Sequence, residues 1–196
     1  ATQKAVDYST TNIQVAGVDE ADYVKNDGDY IYKIAGESIY IVKADDLSIS
    51  SSINLSGKNP SSIYVSGDRL VVFGNKYDYG IRPLTGGAEK ILIYPGPLQS
   101  NTYINVYDIS DRANPALVKN TNFNGTYSDS RLIGDHVYAV IASPVYYAQG
   151  SPVVPAFTPS QEKFPEIYYF DVPSSSYQFT NIVSLNANDG SLSGSI

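Results

Sequence analysis

The sequence contains no cysteine, no methionine and no tryptophan, and charged residues make up only 17% of it. Without Cys the chain has neither disulfides nor thiolate metal sites. It has one histidine, His136. The sequence therefore offers almost none of the Cys and His ligands of a zinc site, and only one His for a catalytic pair. Because Met is missing even at position 1, we expect that the chain starts after processing or is an excerpt of a longer protein.

Basic residues are also scarce. The 13 Lys and Arg are outnumbered by 20 Asp and Glu, which gives a net charge of −7. A cluster of basic residues that could neutralise phosphates is missing, so we expect no nucleic-acid partner. An anionic membrane surface is disfavoured for the same reason. No apolar run approaches the roughly 18–20 residues that cross a bilayer, so we expect no membrane span in this segment.

The composition favours β-structure. Hydrophobic residues make up 42% of the chain, and its aromatic residues are 18 Tyr and 6 Phe. Tyr, Val, Ile and Thr favour strands, whereas the residues that favour helices are few. A chain of 196 residues is long enough to bury a sizeable core. The predicted class is therefore all-β.

An internal repeat narrows this prediction. Three stretches share a Gly-Asp followed by alternating apolar residues: "DGDYIYKI" (27–34), "SGDRLVVF" (66–73) and "IGDHVYAV" (133–140). Each is typical of a tight turn that enters a strand, because Gly tolerates unusual backbone angles and Asp bonds the local backbone. The predicted repeat turns are Gly28, Asp29, Gly67, Asp68, Gly134 and Asp135.

A second and a third strand follow each Gly-Asp turn. The second strands are predicted at 38–45, 103–109 and 167–172, and they close on Asp45, Asp108 and Asp171, which are 63 residues apart. The third strands are predicted at 49–55, 116–123 and 177–185. A short apolar strand, at 61–68 and 130–135, then leads into the next Gly-Asp. Four short antiparallel strands repeated in tandem indicate a β-propeller. A β-sandwich is the alternative, but a sandwich has no reason to repeat its turns and Asp positions.

The repeat divides the chain into blades. We predict an N-terminal segment (1–23), blade 1 (24–58), blade 2 (59–126) with a long loop (74–102), blade 3 (127–187) with a long loop (142–166), and the start of a further blade (188–196). Both long loops join equivalent strands, so we expect them on one face. Three blades do not close a ring of about four to eight. We therefore expect the rest of the propeller to come from missing sequence, a partner chain or another copy of the chain.

The acidic stretch "GVDEADYVKNDGD" (17–29) invites two other interpretations. Asp19-Glu20-Ala21-Asp22 spells an RNA-helicase motif, but the phosphate loop Gly-x-x-x-x-Gly-Lys-Ser/Thr that must accompany it is missing. Calcium prefers oxygen ligands of this kind, although the EF-hand spacing is not met. The candidate ligands are Asp19, Glu20, Asp22, Asp27 and Asp29; the alternative is a strand-entry turn.

The longer stretch "YSTTNIQVAGVDEADYVKNDGDYIYKI" (8–34) resembles the opening of a family of secreted β-propeller proteins of archaea and bacteria, distantly related to WD repeats. The resemblance implies an extracytoplasmic propeller and no particular activity. Two glycosylation sequons, Asn54-Leu55-Ser56 and Asn124-Gly125-Thr126, are compatible with a secreted or cell-surface protein.

The long loops supply the predicted binding residues. Tyr combines stacking area with a polar tip, which suits glycan or protein surfaces. The candidates are Tyr77, Tyr79, Tyr94, Tyr103, Tyr146 and Tyr147. We predict no catalytic residue and no cofactor apart from a possible calcium ion. The favoured function is recognition or assembly; the alternatives are a propeller hydrolase or lyase whose catalytic residues lie mostly outside this segment, and a structural lattice component.

Overall fold

A computed structural model describes residues 17–78, 99–148, 151–153, 167–169, 171 and 177–195. Within these residues every regular element is a β-strand. The strands form three antiparallel sheets of four or five strands and one two-stranded ribbon. The predicted all-β class with repeated sheets is therefore confirmed. Over the same residues, no helix is long and apolar enough to cross a membrane.

The first sheet follows the order of the chain, and buried side chains alternate along its two central strands. Tyr32, Ile34, Ile39 and Ile41 are buried on one face, because successive side chains of a strand point to opposite faces. Its strands are β2 (Val24–Asn26), β3 (Tyr30–Ala35), β4 (Ser38–Lys43) and β5 (Ile49–Asn54).

The second sheet has the same order and longer strands: β6 (Asn59–Ser66), β7 (Arg69–Asp78), β8 (Gln99–Asp108) and β9 (Ala116–Asn124). The loop predicted at 74–102 is therefore shorter, because both of its ends continue the strand pair. Polar side chains support this extension. The Asn75 Oδ1 atom accepts hydrogen bonds from the Thr102 hydroxyl (3.3 Å) and from the Tyr127 backbone N–H (3.0 Å).

The third sheet combines the N-terminal strand with four later ones, in the order β1, β10, β11, β14, β15. These are β1 (Val18–Glu20), β10 (Thr126–Ile133), β11 (His136–Pro144), β14 (Gln178–Asn186) and β15 (Leu192–Ser195). A small ribbon, β12 (Tyr146–Ala148) paired with β13 (Ser151–Val153), lies within the long loop predicted at 142–166.

Two strand predictions for this part of the chain are wrong. The partner of β11 is β14, not the stretch 167–172, and Asp171 lies in no strand. The reason is burial: Val183 and Leu185 of β14 enter the core, whereas Tyr168 and Tyr169 remain 72% and 84% exposed. In addition, residues 192–195 form the outer strand of this same sheet and do not begin a further blade.

Apart from β1, each sheet has four strands that we count in chain order: β2–β5, β6–β9, and β10, β11, β14 and β15. The three Gly-Asp turns occupy equivalent places, because each joins the first of these strands to the second. Gly28, Gly67 and Gly134 have positive φ angles of 97°, 55° and 57°, which Gly adopts without strain. The backbone carbonyl of each following Asp accepts a hydrogen bond from the residue just beyond the third strand. These bonds are Ala44 N–H to Asp29 O (2.8 Å), Ile109 N–H to Asp68 O (2.9 Å) and Ala187 N–H to Asp135 O (2.7 Å). The repeat therefore ties the third strand to the turn in every sheet.

Two hydrophobic cores hold the sheets together. One lies between the first and second sheets and includes Tyr32, Ile41, Leu70 and Ile109. The other lies between the second and third sheets. In the second core Phe73 stacks on Tyr127, with 4.8 Å between the ring centroids. The second sheet is thus covered on both faces, as the middle blade of a stack should be.

The N-terminal segment 18–26 crosses all three sheets. Its β1 part pairs with β10 of the third sheet, and its β2 part pairs with β3 of the first. Between them, the backbone of Asp22 exchanges hydrogen bonds with Ile63 of the second sheet, at 3.2 and 2.8 Å. One extended segment therefore joins the first strands of the second and third sheets to the first sheet.

Leu47 offers a test of the turn geometry, since it is the one described residue other than Gly with positive φ (58°). Gly190 occupies the equivalent turn of the third sheet: Leu47 N–H bonds Lys43 O, and Gly190 N–H bonds Asn186 O. A residue with a side chain pays about 1–2 kcal/mol to adopt the left-handed conformation, and Gly avoids this cost. Gly also has more conformational freedom in the unfolded chain, which offsets part of the stabilisation. We expect Leu47→Gly to raise the free energy of unfolding by about 0.5–1 kcal/mol in urea titrations.

The reverse change serves as the control for Leu47. A Cβ atom at Gly190 would lie 2.7 Å from Lys119 Cβ, and its φ of 70° disfavours a side chain. Gly190→Ala should therefore destabilise the protein. Loss of stability in Leu47→Gly would contradict this account of the turn.

Candidate functional site

A polar cleft of about 690 Å³ lies where the first and second sheets meet. One wall contains the start of β3, the end of β4 and the residues that follow it. The other wall is the turn that follows β8. Residues that line the cleft include Asp29, Tyr30, Lys43, Ser50, Asp111 and Arg112.

Arg112 holds the two walls of the cleft together. Its Nε–H donates to the Tyr32 hydroxyl (3.1 Å), Nη1 donates to Asp68 Oδ1 (2.5 Å), and Nη2 donates to Asp27 Oδ2 (3.1 Å) and to the Gly67 carbonyl (3.3 Å). The guanidinium carbon also lies 5.9 Å from the centroid of the Tyr30 ring. Since the side chain is only 18% exposed, this is a partly buried clamp between sheets.

The protonation states around Arg112 fit a structural role. Burial alone would raise the pKa of Asp27, but hydrogen bonds from Tyr32, from the Tyr30 N–H and from Arg112 outweigh it and lower that pKa. Burial and the neighbouring Asp27 raise the pKa of Tyr32. Burial would lower the pKa of Arg112, but its hydrogen bonds raise it. The carboxylate and guanidinium therefore stay charged and the phenol neutral, so the group holds its geometry and does not exchange protons near neutral pH.

The acidic stretch 19–29 forms separate contacts. Asp19 Oδ1 accepts a hydrogen bond from the buried Lys25 ammonium at 2.7 Å, and Glu20 lies 3.4 Å from Arg131. Asp22 Oδ1 accepts from the neighbouring Tyr23 N–H at 2.6 Å. The five predicted calcium ligands are thus not brought together. In the part of the chain that the structure describes, no group of three or more Asp, Glu, His or Cys is positioned to hold a metal ion.

The predicted tyrosine surface divides into three cases. Tyr103 is 1% exposed and lies in the core between the first and second sheets, so it presents no binding surface. Its register explains this: it lies opposite Gly74, where any Cβ atom would collide with the Tyr103 ring. Tyr77 is half-buried near the end of β7, while Tyr146 and Tyr147 belong to β12. Tyr79 and Tyr94 lie outside the described residues.

The repeated aspartates do not form a carboxylate pair. Asp108 ends β8 and lies 2.9 Å from Arg69, Asp45 lies in the turn after β4, and Asp171 is exposed. Arg69 also donates from Nε to the Asn188 carbonyl at 2.8 Å, which joins the second sheet to the turn after β14. Neither Arg69 nor Arg112 is among the functional residues predicted from the sequence. The available signal is that each arginine directly follows an aspartate at a turn, Asp68 before Arg69 and Asp111 before Arg112.

The outer face of the third sheet differs from the equivalent faces of the other two sheets in how far its apolar residues are exposed. Pairing across the second and third strands defines equivalent positions: Ile34 faces Ile39, Phe73 faces Ile104, and Val140 faces Ile182. The first two pairs are at most 8% exposed because the next sheet covers them.

The third pair is uncovered. Ile182 is 46% exposed and the nearby Tyr138 is 40% exposed, while Val140 is half-buried. We call Tyr138, Val140 and Ile182 the outer face of the third sheet. The second sheet covers the equivalent face of the first sheet, and the third sheet covers that of the second. Among the described residues, no sheet covers the outer face of the third.

Comparisons with known proteins agree with this repeat architecture. An uncharacterized protein of Archaeoglobus fulgidus is 26% identical over 193 residues, which cover 96% of this chain and 28% of the relative. An uncharacterized protein of Methanocaldococcus jannaschii is 28% identical over 138 residues, 68% of this chain and 17% of the relative. The chain thus spans less than a third of either relative. No solved structure matches it. The family model described as "Beta propeller domain" matches residues 8–195, and the chain therefore belongs to that family.

Proposed function

We propose that the protein is an extracytoplasmic recognition and assembly module whose third sheet receives a further blade. The observation that carries the proposal is the outer face of the third sheet. Its residues occupy the positions that are buried between the other sheets, yet Ile182 and Tyr138 remain about half exposed. An apolar face of this kind on a stacked repeat is the surface that a neighbouring repeat covers.

The incoming blade has a defined docking position. The two interfaces between the sheets share one contact. In each of them, the turn that follows β8 or β14 touches the first residue of β3 or β7 in the preceding sheet. Arg112 contacts Tyr30 in this way, and the carbonyl of Asn188 contacts Arg69. His136 is the equivalent residue of the third sheet, opposite Asn186. The next blade would place its turn over His136 and its apolar strands over Ile182.

A cysteine accessibility experiment tests the proposal, and residues 1–196 contain no native Cys that would compete with the introduced thiol. Ile182→Cys is compared with Leu117→Cys, a position on the outer strand of the second sheet that is 54% exposed. In the intact protein as the cell makes it, we expect the thiol at position 182 to react with a maleimide many times more slowly than the thiol at position 117. Equal rates would overturn the proposal.

The mass of the intact particle identifies the source of the covering blade. A longer polypeptide would indicate that the same chain supplies it, a second polypeptide would indicate a partner, and a multiple of one chain would indicate self-assembly. The expected propeller has about four to eight blades in total.

The recognition surface that we propose is the end of the sheets where the second and third strands are joined. Both long connections, after β7 and after β11, leave from this end, whereas the first sheet has the tight turn at residues 36–37. Exposed connections on a rigid scaffold are the usual place for binding residues. The partner class expected from their tyrosines is a glycan or a protein surface. The extracytoplasmic location is supported by the resemblance of residues 8–34 and by the sequon at Asn54, which is exposed; cell fractionation tests it.

A further inference from the structure

We propose that the cleft between the first and second sheets binds a neutral saccharide. This cleft lies at the end of the sheets opposite to the long connections, because it adjoins the start of β3 and the end of β4. The inference is independent of the outer face of the third sheet. A volume of about 690 Å³ is within the usual range for small-molecule sites.

The groups available to a ligand are few, although three carboxylates and two cations line the cleft. Arg112 pairs with both Asp27 and Asp68, and it uses Nε, Nη1 and Nη2 in protein hydrogen bonds. The Asp111 carboxylate is bound within its own turn by the Ala113 N–H and the Asn114 side chain.

Two charged side chains of opposite sign remain. Among the described residues the Asp29 carboxylate has no hydrogen-bond or ion-pair partner, and the Lys43 ammonium has only an electrostatic attraction to Asp46. They lie close in the fold because Lys43 pairs with Tyr30, the neighbour of Asp29. The Ser50 hydroxyl, which likewise has no partner there, adds a group that donates and accepts.

This combination selects against charged ligands, and most strongly against anions. An anion would approach Lys43 but also the carboxylates of the cleft, and a cation would meet Lys43 and Arg112. A sugar hydroxyl avoids it, since one hydroxyl donates to the carboxylate while another accepts from the ammonium. The cleft is mainly polar, and Tyr30 and the exposed Ile49 (63%) supply the limited apolar surface that the C–H groups of a sugar ring would contact. A single metal ion is disfavoured because the cleft offers only one carboxylate without a protein partner.

Saturation-transfer NMR on the wild-type protein tests this assignment. The probes are cellotriose, chitotriose and maltotriose, which are neutral, and a glucuronate-containing trisaccharide as the anionic comparison. We expect transfer to the ring protons of at least one neutral probe. Asp29→Ala and Lys43→Ala should each weaken binding by at least about tenfold, because each removes a hydrogen bond to a charged group.

The controls separate binding from folding. Asp29 and Lys43 are exposed, so both variants should retain the melting temperature of the wild type. Arg131→Ala changes a charge on the third sheet, away from the cleft, and should leave saccharide binding unchanged. The assignment is overturned if no neutral probe gives transfer, if only the anionic probe binds, or if binding survives in the Asp29→Ala/Lys43→Ala double variant.

Discussion

Replacing Arg112 with Ala should lower the free energy of unfolding by about 2–4 kcal/mol. The change removes a guanidinium that donates to Asp27, Tyr32 and Asp68 and leaves the Asp27 carboxylate without its counter-charge between two sheets. The pKa of Asp27 should then rise from its lowered value, because one of the interactions that stabilise the carboxylate is lost. Urea titration measures the stability, and an NMR titration measures the pKa.

Two variants show whether geometry or charge carries this effect. Arg112→Lys keeps the charge but cannot form the forked contacts, so it should recover only part of the stability. Arg131→Ala removes a more exposed arginine, whose side chain is 41% accessible and whose ion pairs are with Glu20 and Asp129. This second variant should lose less than about 1 kcal/mol. If Arg112→Ala lost no more than Arg131→Ala, Arg112 would not be a clamp between the sheets.

Ile104→Ala and Ile182→Ala form the second large prediction, because they remove the same side chain from equivalent strand positions. Ile104 faces Phe73 and is 1% exposed between the second and third sheets, whereas Ile182 faces Val140 and is 46% exposed. We expect Ile104→Ala to lower the free energy of unfolding by about 3–4 kcal/mol, through lost burial and an unfilled cavity. In the isolated chain Ile182→Ala should lose about 1 kcal/mol or less.

The same pair also tests the assembly proposal. In the intact protein, a covering blade would bury Ile182, and the loss for Ile182→Ala should approach that for Ile104→Ala. Thermal unfolding of the isolated chain and of the intact protein gives both values. Equal and large losses in the isolated chain would contradict the exposure of the third sheet.

Much of the strand layout was predictable from local pattern. The alternating apolar residues after Gly28, Gly67 and Gly134 indicate strands, and those strands are present as β3, β7 and β11. Local pattern alone predicts that the strand beside β11 is the stretch 167–172, since "IYYFDV" has as good an alternation as "YQFTNIVSL". Choosing between them depends on which segment fills the core beside β11, and local pattern does not contain that contact.

The candidate sites were less predictable than the strands. Tyr103 has the composition of a binding residue, yet it is buried because Gly74 lies opposite and leaves room for its ring. Arg112 is unremarkable in sequence, and only the approach of the second sheet to the first brings it to Asp27 and Tyr32.

The sequence by itself determined the all-β class, the repeat and the turns, because these depend on residues close together in the chain: side-chain alternation and Gly at positions of positive φ. Tertiary structure alone decided that the acidic segment 18–26 crosses three sheets, that Arg112 and Arg69 fasten neighbouring sheets, and that Ile182 is left uncovered. The physical reason is that each of these features depends on a contact between residues far apart in the chain, whose energy is set by which sheet packs on which.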